Sequence, residues 1–260
     1  MKWACRASLW SLVCLVLTAC SSLPAPPVGQ VEINASPWAV QSQGHRGSAA
    51  LAGRGAWNHL TFPGKSPTAY SYFQKDGRDA VAAVAESSAS MLRSKVRIES
   101  QDLGSVRFSW MVPQLIANAD MGLRDVDDSP VRIVLVFEGD RSRFSARDAL
   151  VSELAHTLTG EPMPYATLMY VWCNKRAPGS VIKGPRTDRI RKMVVESGAG
   201  RLNQWLDYER DIRADFQRAF GELPGALLGI GIMSDSDNTR SSARSWFGPL
   251  HLGSQAMAKN

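Results

Sequence analysis

The stretch Val106-Arg107-Phe108-Ser109-Trp110-Met111-Val112 carries an apolar residue at every second position, with Arg107 and Ser109 between them. Side chains of an extended strand alternate between its two faces, so this pattern describes a strand with one face on a core. A second stretch, Val131 to Phe137, is a nearly continuous apolar run interrupted by Arg132. That is the composition of a strand covered on both faces. One half-covered strand and one fully covered strand point to stacked β-layers.

Working outward, further short β-like runs are separated by turn residues. They are Trp57–Phe62, Thr68–Gln74, Arg78–Ala85, Lys95–Glu99, Ala166–Trp172, Arg189–Val195, Leu227–Met233 and Trp246–Leu252, with Asp76-Gly77 as a turn signal. Two stretches have helical spacing instead. Ser145 to Thr159 carries Leu150, Leu154 and Leu158, four residues apart. Asp211 to Phe220 carries Ile212, Phe216 and Phe220, with Gly221 as C-cap and Pro224 beyond it. Alternating βα units are absent, which argues against a doubly wound sheet. The expected fold is mainly β, a jelly-roll-like β-sandwich with two short helical insertions, over residues 56–254 with a tail at 255–260.

The N-terminus has a different texture. Lys2 and Arg6 precede a short apolar core from Leu9 to Leu17. A bilayer span needs about 20 apolar residues, so this core has signal-peptide length. Leu17-Thr18-Ala19-Cys20 follows and resembles the lipobox of bacterial lipoproteins. That resemblance implies a signal at residues 1–19, cleavage before Cys20, lipidation of Cys20 and anchoring in a bilayer. Several acyl chains are needed for stable anchoring. Ser21, rather than Asp, implies the periplasmic face of the outer membrane. Residues 20–55 are rich in Ser, Pro, Gly and Ala and read as a flexible tether, in which Val28–Ile33 is apolar enough to add a strand.

The formal net charge is +6, and loss of Lys2 and Arg6 with the signal leaves +4. This mild excess fits anionic lipid or envelope polymer. No basic stripe interleaved with aromatics marks a nucleic-acid surface. Cys5 and Cys14 fall in the signal and Cys20 is the lipid acceptor, so Cys173 has no partner for a disulfide.

Several segments of the second half occur in a recognisable order. They are Asp127-Asp128-Ser129-Pro130-Val131-Arg132, Pro164 to Trp172, Trp205 with Glu209 and Arg210, Asp215 to Gly221, Ser234 to Thr239, and Trp246-Phe247-Gly248. Together they resemble the bacterial proteins grouped as domain of unknown function 3047, over residues 57–252. The resemblance implies an exported jelly-roll domain similar in shape to carbohydrate-binding modules. It implies no activity.

Four groups of residues carry candidate chemistry. Asp235, Asp237 and Asn238, with Asp127 and Asp128 as further donors, offer the oxygens that calcium prefers. The same residues also suit a polar turn or direct ligand contact. Trp110, Trp172, Trp205 and Trp246, and nearer the tether Trp57 and Tyr72, suit either core packing or stacking on sugar rings. Of these, Trp172 and Trp205 join Asp235, Asp237 and Asn238 as ligand-binding candidates. Asp128 with Arg132, and Glu209 with Arg210, suit structural ion pairs. As acids of a polysaccharide hydrolase, Asp128, Glu209, Asp235 and Asp237 would need one raised pKa and a defined carboxyl separation. His45, His59, His156 and His251 lie in no nucleophile or zinc motif.

The sequence therefore supports a non-catalytic module that binds an envelope glycan. A hydrolase of envelope polysaccharide and a lipoprotein that binds only protein partners are the alternatives.

Overall fold

The computed structural model describes residues 28–42 and 55–254. Cys20, the signal and the residue 255–260 tail lie outside the described residues. Thirteen described strands form two sheets. The first has the order β1 (Trp57–Thr61), β4 (Ala89–Ile98), β11 (Leu227–Asp235), β6 (Ser129–Phe137), β7 (Ala166–Cys173), β9 (Ile190–Ser197) and β8 (Val181–Lys183). The second has the order β10 (Leu206–Asp211), β5 (Leu103–Met111), β12 (Ser242–Phe247), β3 (Arg78–Glu86) and β2 (Ala69–Lys75). The strand β13 (His251–Ser254) also pairs with β5. The β7–β9 pair is parallel, and the other pairs are antiparallel.

The two sheets face each other as a β-sandwich, as the alternation in β5 requires. Val106, Phe108 and Trp110 point inward and meet Tyr170 and Trp172 of β7. The Phe108 and Tyr170 rings stack at 5.7 Å, and Trp110 lies 6.5 Å from Trp172. β6 is the central strand of the seven-stranded sheet. Val131, Ile133, Leu135 and Phe137 enter the core, and Arg132 and Val134 are buried on the outer face. Its continuous apolar composition follows from that double cover.

Helix α4 (Ile212–Phe220) caps one end of the sandwich. Asp211 is its N-cap, accepting from the Ala214 N–H at 2.9 Å, and Gly221 ends it in the left-handed region at φ 74°. Phe216 is fully buried against Phe137, at 4.7 Å between centroids. Helix α3 (Ala146–Thr159) is capped by Ser145 and ends at Gly160, also left-handed.

The tether reading requires correction. Residues 28–42 fold as helices α1 (Val28–Ala35) and α2 (Pro37–Ser42), not as a flexible segment or an added strand. Ile33, Trp38 and Ala39 belong to the main core, and Trp38 lies 4.8 Å from Trp57. Asn34 fastens the pair, donating to the Trp57 carbonyl at 2.9 Å and accepting from its N–H at 2.8 Å. The Ser/Pro/Gly composition around these residues masks two anchors whose partners lie far along the chain.

Trp246–Leu252 is two strands rather than one. The chain breaks at Gly248-Pro249, where Gly248 donates to the Ser109 carbonyl and a Cβ on Gly248 would meet Ser109 Oγ at 2.1 Å. β8 and β10, which carry weak apolar signals, complete the sheet edges.

Candidate functional site

Sheet alternation sorts the tryptophans. Trp110 and Trp172 share parity with core residues and are fully buried. Trp172 donates its Nε1–H to the Gly198 carbonyl at 2.9 Å. No face of Trp172 is open to a sugar, which removes it from the ligand-binding candidates. Trp57 is likewise core.

Trp205 and Trp246 have the opposite parity and are half-buried. Trp246 pairs with Met111 of β5 and Ala82 of β3. Leu206 pairs with Trp110, so Trp205 stands on the other side of Met111. Two strand spacings separate the tryptophans, about 9–10 Å. The outer face of this sheet therefore carries two aromatic rings around a methionine, with the small side chains Ala80 and Ala82 beside them and exposed Phe73 further along.

Polar side chains border these rings. Arg78 lies over Trp205 at 5.3 Å and pairs with Asp207 at 2.7 Å. Lys75 lies over Trp246 at 5.2 Å. Glu209, two residues beyond Asp207 on the same face, accepts from Ser105 Oγ at 2.7 Å. An open groove of about 920 Å³ runs between Gln41, Arg78, Asp79, Arg107, Asp207 and Glu209. Trp205 Nε1 is buried and meets no acceptor among the described residues.

The aspartate cluster lies on the other sheet. Asp128, Asp235 and Asp237 each offer an oxygen within 4.8 Å of the others. Their oxygens are engaged by the protein itself. Asp235 receives Arg132 Nε at 2.8 Å and Nη2 at 2.9 Å, and Asp237 pairs with Lys65. Asp128 accepts the Asn238 N–H at 3.2 Å, the Thr239 N–H at 2.7 Å and the Thr239 hydroxyl at 2.6 Å. Asn238 donates to the Arg124 carbonyl at 2.7 Å. Asp127 pairs with Lys192 at 2.5 Å and Arg132 at 3.1 Å. A calcium ion here would have to displace Arg132 and Lys65, so the donor set fits an internal ion network better than a metal.

Burial sets the electrostatics of this network. Desolvation raises Asp235 to about 6 despite Arg132. Desolvation, aided by Arg132, lowers Lys192 to about 8 against the pull of Asp127. Asp235 thus has the raised pKa of a general acid, but Arg132 holds both its oxygens. Glu209 sits on the opposite sheet, so the four acids considered for hydrolysis do not share one cleft.

The alternation rule, applied to Trp205-Leu206-Asp207-Tyr208-Glu209, was the signal that separates Trp205 from the core tryptophans. The same parity groups Trp246 with exposed Arg244. Lys75 and Arg78 carried no such mark, because their place over the rings depends on strand pairing.

Residues 55–251 match the family described as "Protein of unknown function (DUF3047)". The chain belongs to this family. No curated protein matches it. Among solved structures the chain is similar to the xyloglucanase domain of NopAA, a type three effector from Sinorhizobium fredii, in complex with cellobiose. Identity there is 12%, over 76% of this chain and 93% of that one, with a TM-score of 0.39. It is similar to a mutant of the family 29 carbohydrate binding module CBM29-2, at 13% identity over 75% and 89% of the two chains and a TM-score of 0.25. It is also similar to SGBP-B from a complex xyloglucan utilization locus in Bacteroides uniformis, at 10% identity and a TM-score of 0.30, covering 75% of this chain and 49% of that one.

Proposed function

We propose that this protein is a lipid-anchored envelope module that binds a glycan without transforming it. The carrying observation is the placement of Trp205 and Trp246 on either side of Met111, with Arg78 and Asp207 leading from the Trp205 ring into the open groove beside it. Apolar ring faces match the C–H faces of a sugar, and Arg78, Asp207, Arg107 and Glu209 match its hydroxyls. The ring separation is on the scale of a disaccharide. Lys75 and Arg78 cover the rings in this structure. Both are partly exposed, and swinging to the edge of a bound sugar costs them little while keeping a donor near its hydroxyls.

The anchor belongs to the same reading. Cys20 in its lipobox-like context carries the acyl chains, and the folded domain works at the periplasmic face of the outer membrane. Palmitate labelling of the wild-type protein, lost in Cys20→Ala, tests the anchor. Glycan-array binding by the purified protein tests the ligand class. Retention on arrayed envelope glycans supports the reading, and a blank array counts against it.

A further inference from the structure

Helix α3 is turned inside out. Its leucines, Leu150, Leu154 and Leu158, are 71%, 56% and 58% exposed, while Asp148 and Ser152 are buried and Ala155 faces the sheet. A helix covering a core normally does the reverse. Here the large apolar side chains that would fill the space beneath α3 point away from it.

That space is largely apolar by area, and α3 reaches it through Ala155. Between α3 and the outer face of the seven-stranded sheet lie two adjoining cavities, of about 320 and about 470 Å³, sharing Phe62, Ala155, Met169, Ile190 and Met233 in their walls. Gly229 and Gly231 lie in the floor. A Cβ on Gly231 would come within 2.7 Å of Met91 Sδ, so the floor is kept low.

The roof is held at both ends. Asp148 accepts from the Thr187 hydroxyl and from the Asp188 N–H at 3.2 Å, and Arg147 donates to the Pro185 carbonyl at 3.0 Å. These bonds tie the start of α3 to the loop between β8 and β9. Just beyond its end, Glu161 pairs with Arg93 of β4 at 2.7 Å. From β9 to β4 the sheet runs four strand spacings, about 19 Å. Fourteen helical residues span about 21 Å. The helix is thus a strap of matching length across the sheet.

One end of the space is polar. Lys65 and Asn238 line it, and Arg186 is exposed there with no ion-pair partner among the described residues. The acids nearby, Asp127, Asp235 and Asp237, are all paired with cations. Among the described residues, Arg186 is the one cation lining this end that pairs with no acid.

We infer that the space under α3 is a second ligand site that takes a single acyl chain, lying along the methionine and valine floor with an anionic head at Arg186. The two adjoining cavities are of the size that small ligands occupy. The chain supplies the apolar filling that the leucines of α3 withhold. This site lies on the opposite sheet from the tryptophan platform and rests on no part of the glycan reading.

The test uses the purified protein and a fluorescent fatty acid, with palmitate and a lysophospholipid as competitors to separate a free acid from a lipid source. Saturable binding, displaced by palmitate, is expected. Ala155→Trp fills the cavity from the roof and should weaken binding at least tenfold. Ala155→Lys is the second variant, and circular dichroism confirms that each is folded. Arg186→Glu should weaken palmitate but leave hexadecanol unchanged. Leu154→Ser should have no effect. Absence of saturable binding, unchanged affinity in both folded Ala155 variants, or loss of binding in Leu154→Ser would overturn the site, the last by locating the contact on the outer face of α3.

Discussion

Arg132 of β6 and Asp235 of β11 form a two-point ion pair, Nε to Oδ1 at 2.8 Å and Nη2 to Oδ2 at 2.9 Å, with both residues buried. Removing one partner strands the other charge out of water. Asp235→Ala or Arg132→Met should each cost about 3–5 kcal/mol. The double variant Arg132→Met with Asp235→Leu should recover much of that loss, because Asp127 keeps Lys192 as its partner. Urea denaturation of the three variants measures this. Equal losses in the single and double variants would contradict it.

The same pairing bears on calcium. The carboxylate oxygens of Asp235 and Asp237 are held by Arg132 and Lys65, and those of Asp128 by the Asn238–Thr239 backbone. Adding millimolar calcium or a chelator should leave the melting temperature unchanged. A rise with calcium that disappears in Asp237→Asn would show that the ion displaces Lys65.

Lys192 gives the fold a pH signature. Burial lowers its ammonium to about 8, while an unfolded lysine keeps its proton to about 10.4. Between pH 8 and 10 the unfolded chain therefore binds more protons than the folded one. Stability from this group rises with pH across that window. Urea midpoints at pH 7.5 and 9.5 should show a rise in the wild type that is missing or smaller in Lys192→Met. Identical pH slopes would contradict the assignment.

Helices α1 and α2 are part of the domain. Trp38 is wholly buried against Trp57, and Ser42 Oγ accepts from the Leu250 N–H at 3.1 Å. Trp38→Ala should cost about 3–5 kcal/mol, as loss of a large core aromatic does. A change under 1 kcal/mol in chemical denaturation would show that the segment is dispensable, as a tether would be.

The sandwich was legible where patterns are local. Alternation in Val106–Val112, the continuous run of Val131–Phe137 and the caps of α4 each follow from neighbouring residues. What was not legible depended on distant partners. α1 and α2 take their stability from Trp57 and β2, and β10 is a charged edge strand recognisable only beside β5. The leucine spacing of α3 correctly marks a helix, but spacing alone does not say which face meets the sheet. At the candidate site, Trp205 could be separated from Trp172 by parity. The cations over Trp205 and Trp246 could not be placed without the strand register.

Trp205 and Trp246 carry the functional account, and isothermal titration with a glycan retained on the array tests it most directly. Trp205→Ala and Trp246→Ala should each weaken binding at least tenfold while leaving the melting temperature within a few degrees, since neither ring belongs to the core cluster. Trp205→Ala should also release Arg78 from its ring without loss of the Asp207 pair. Full affinity in the folded double variant Trp205→Ala with Trp246→Ala would contradict the account.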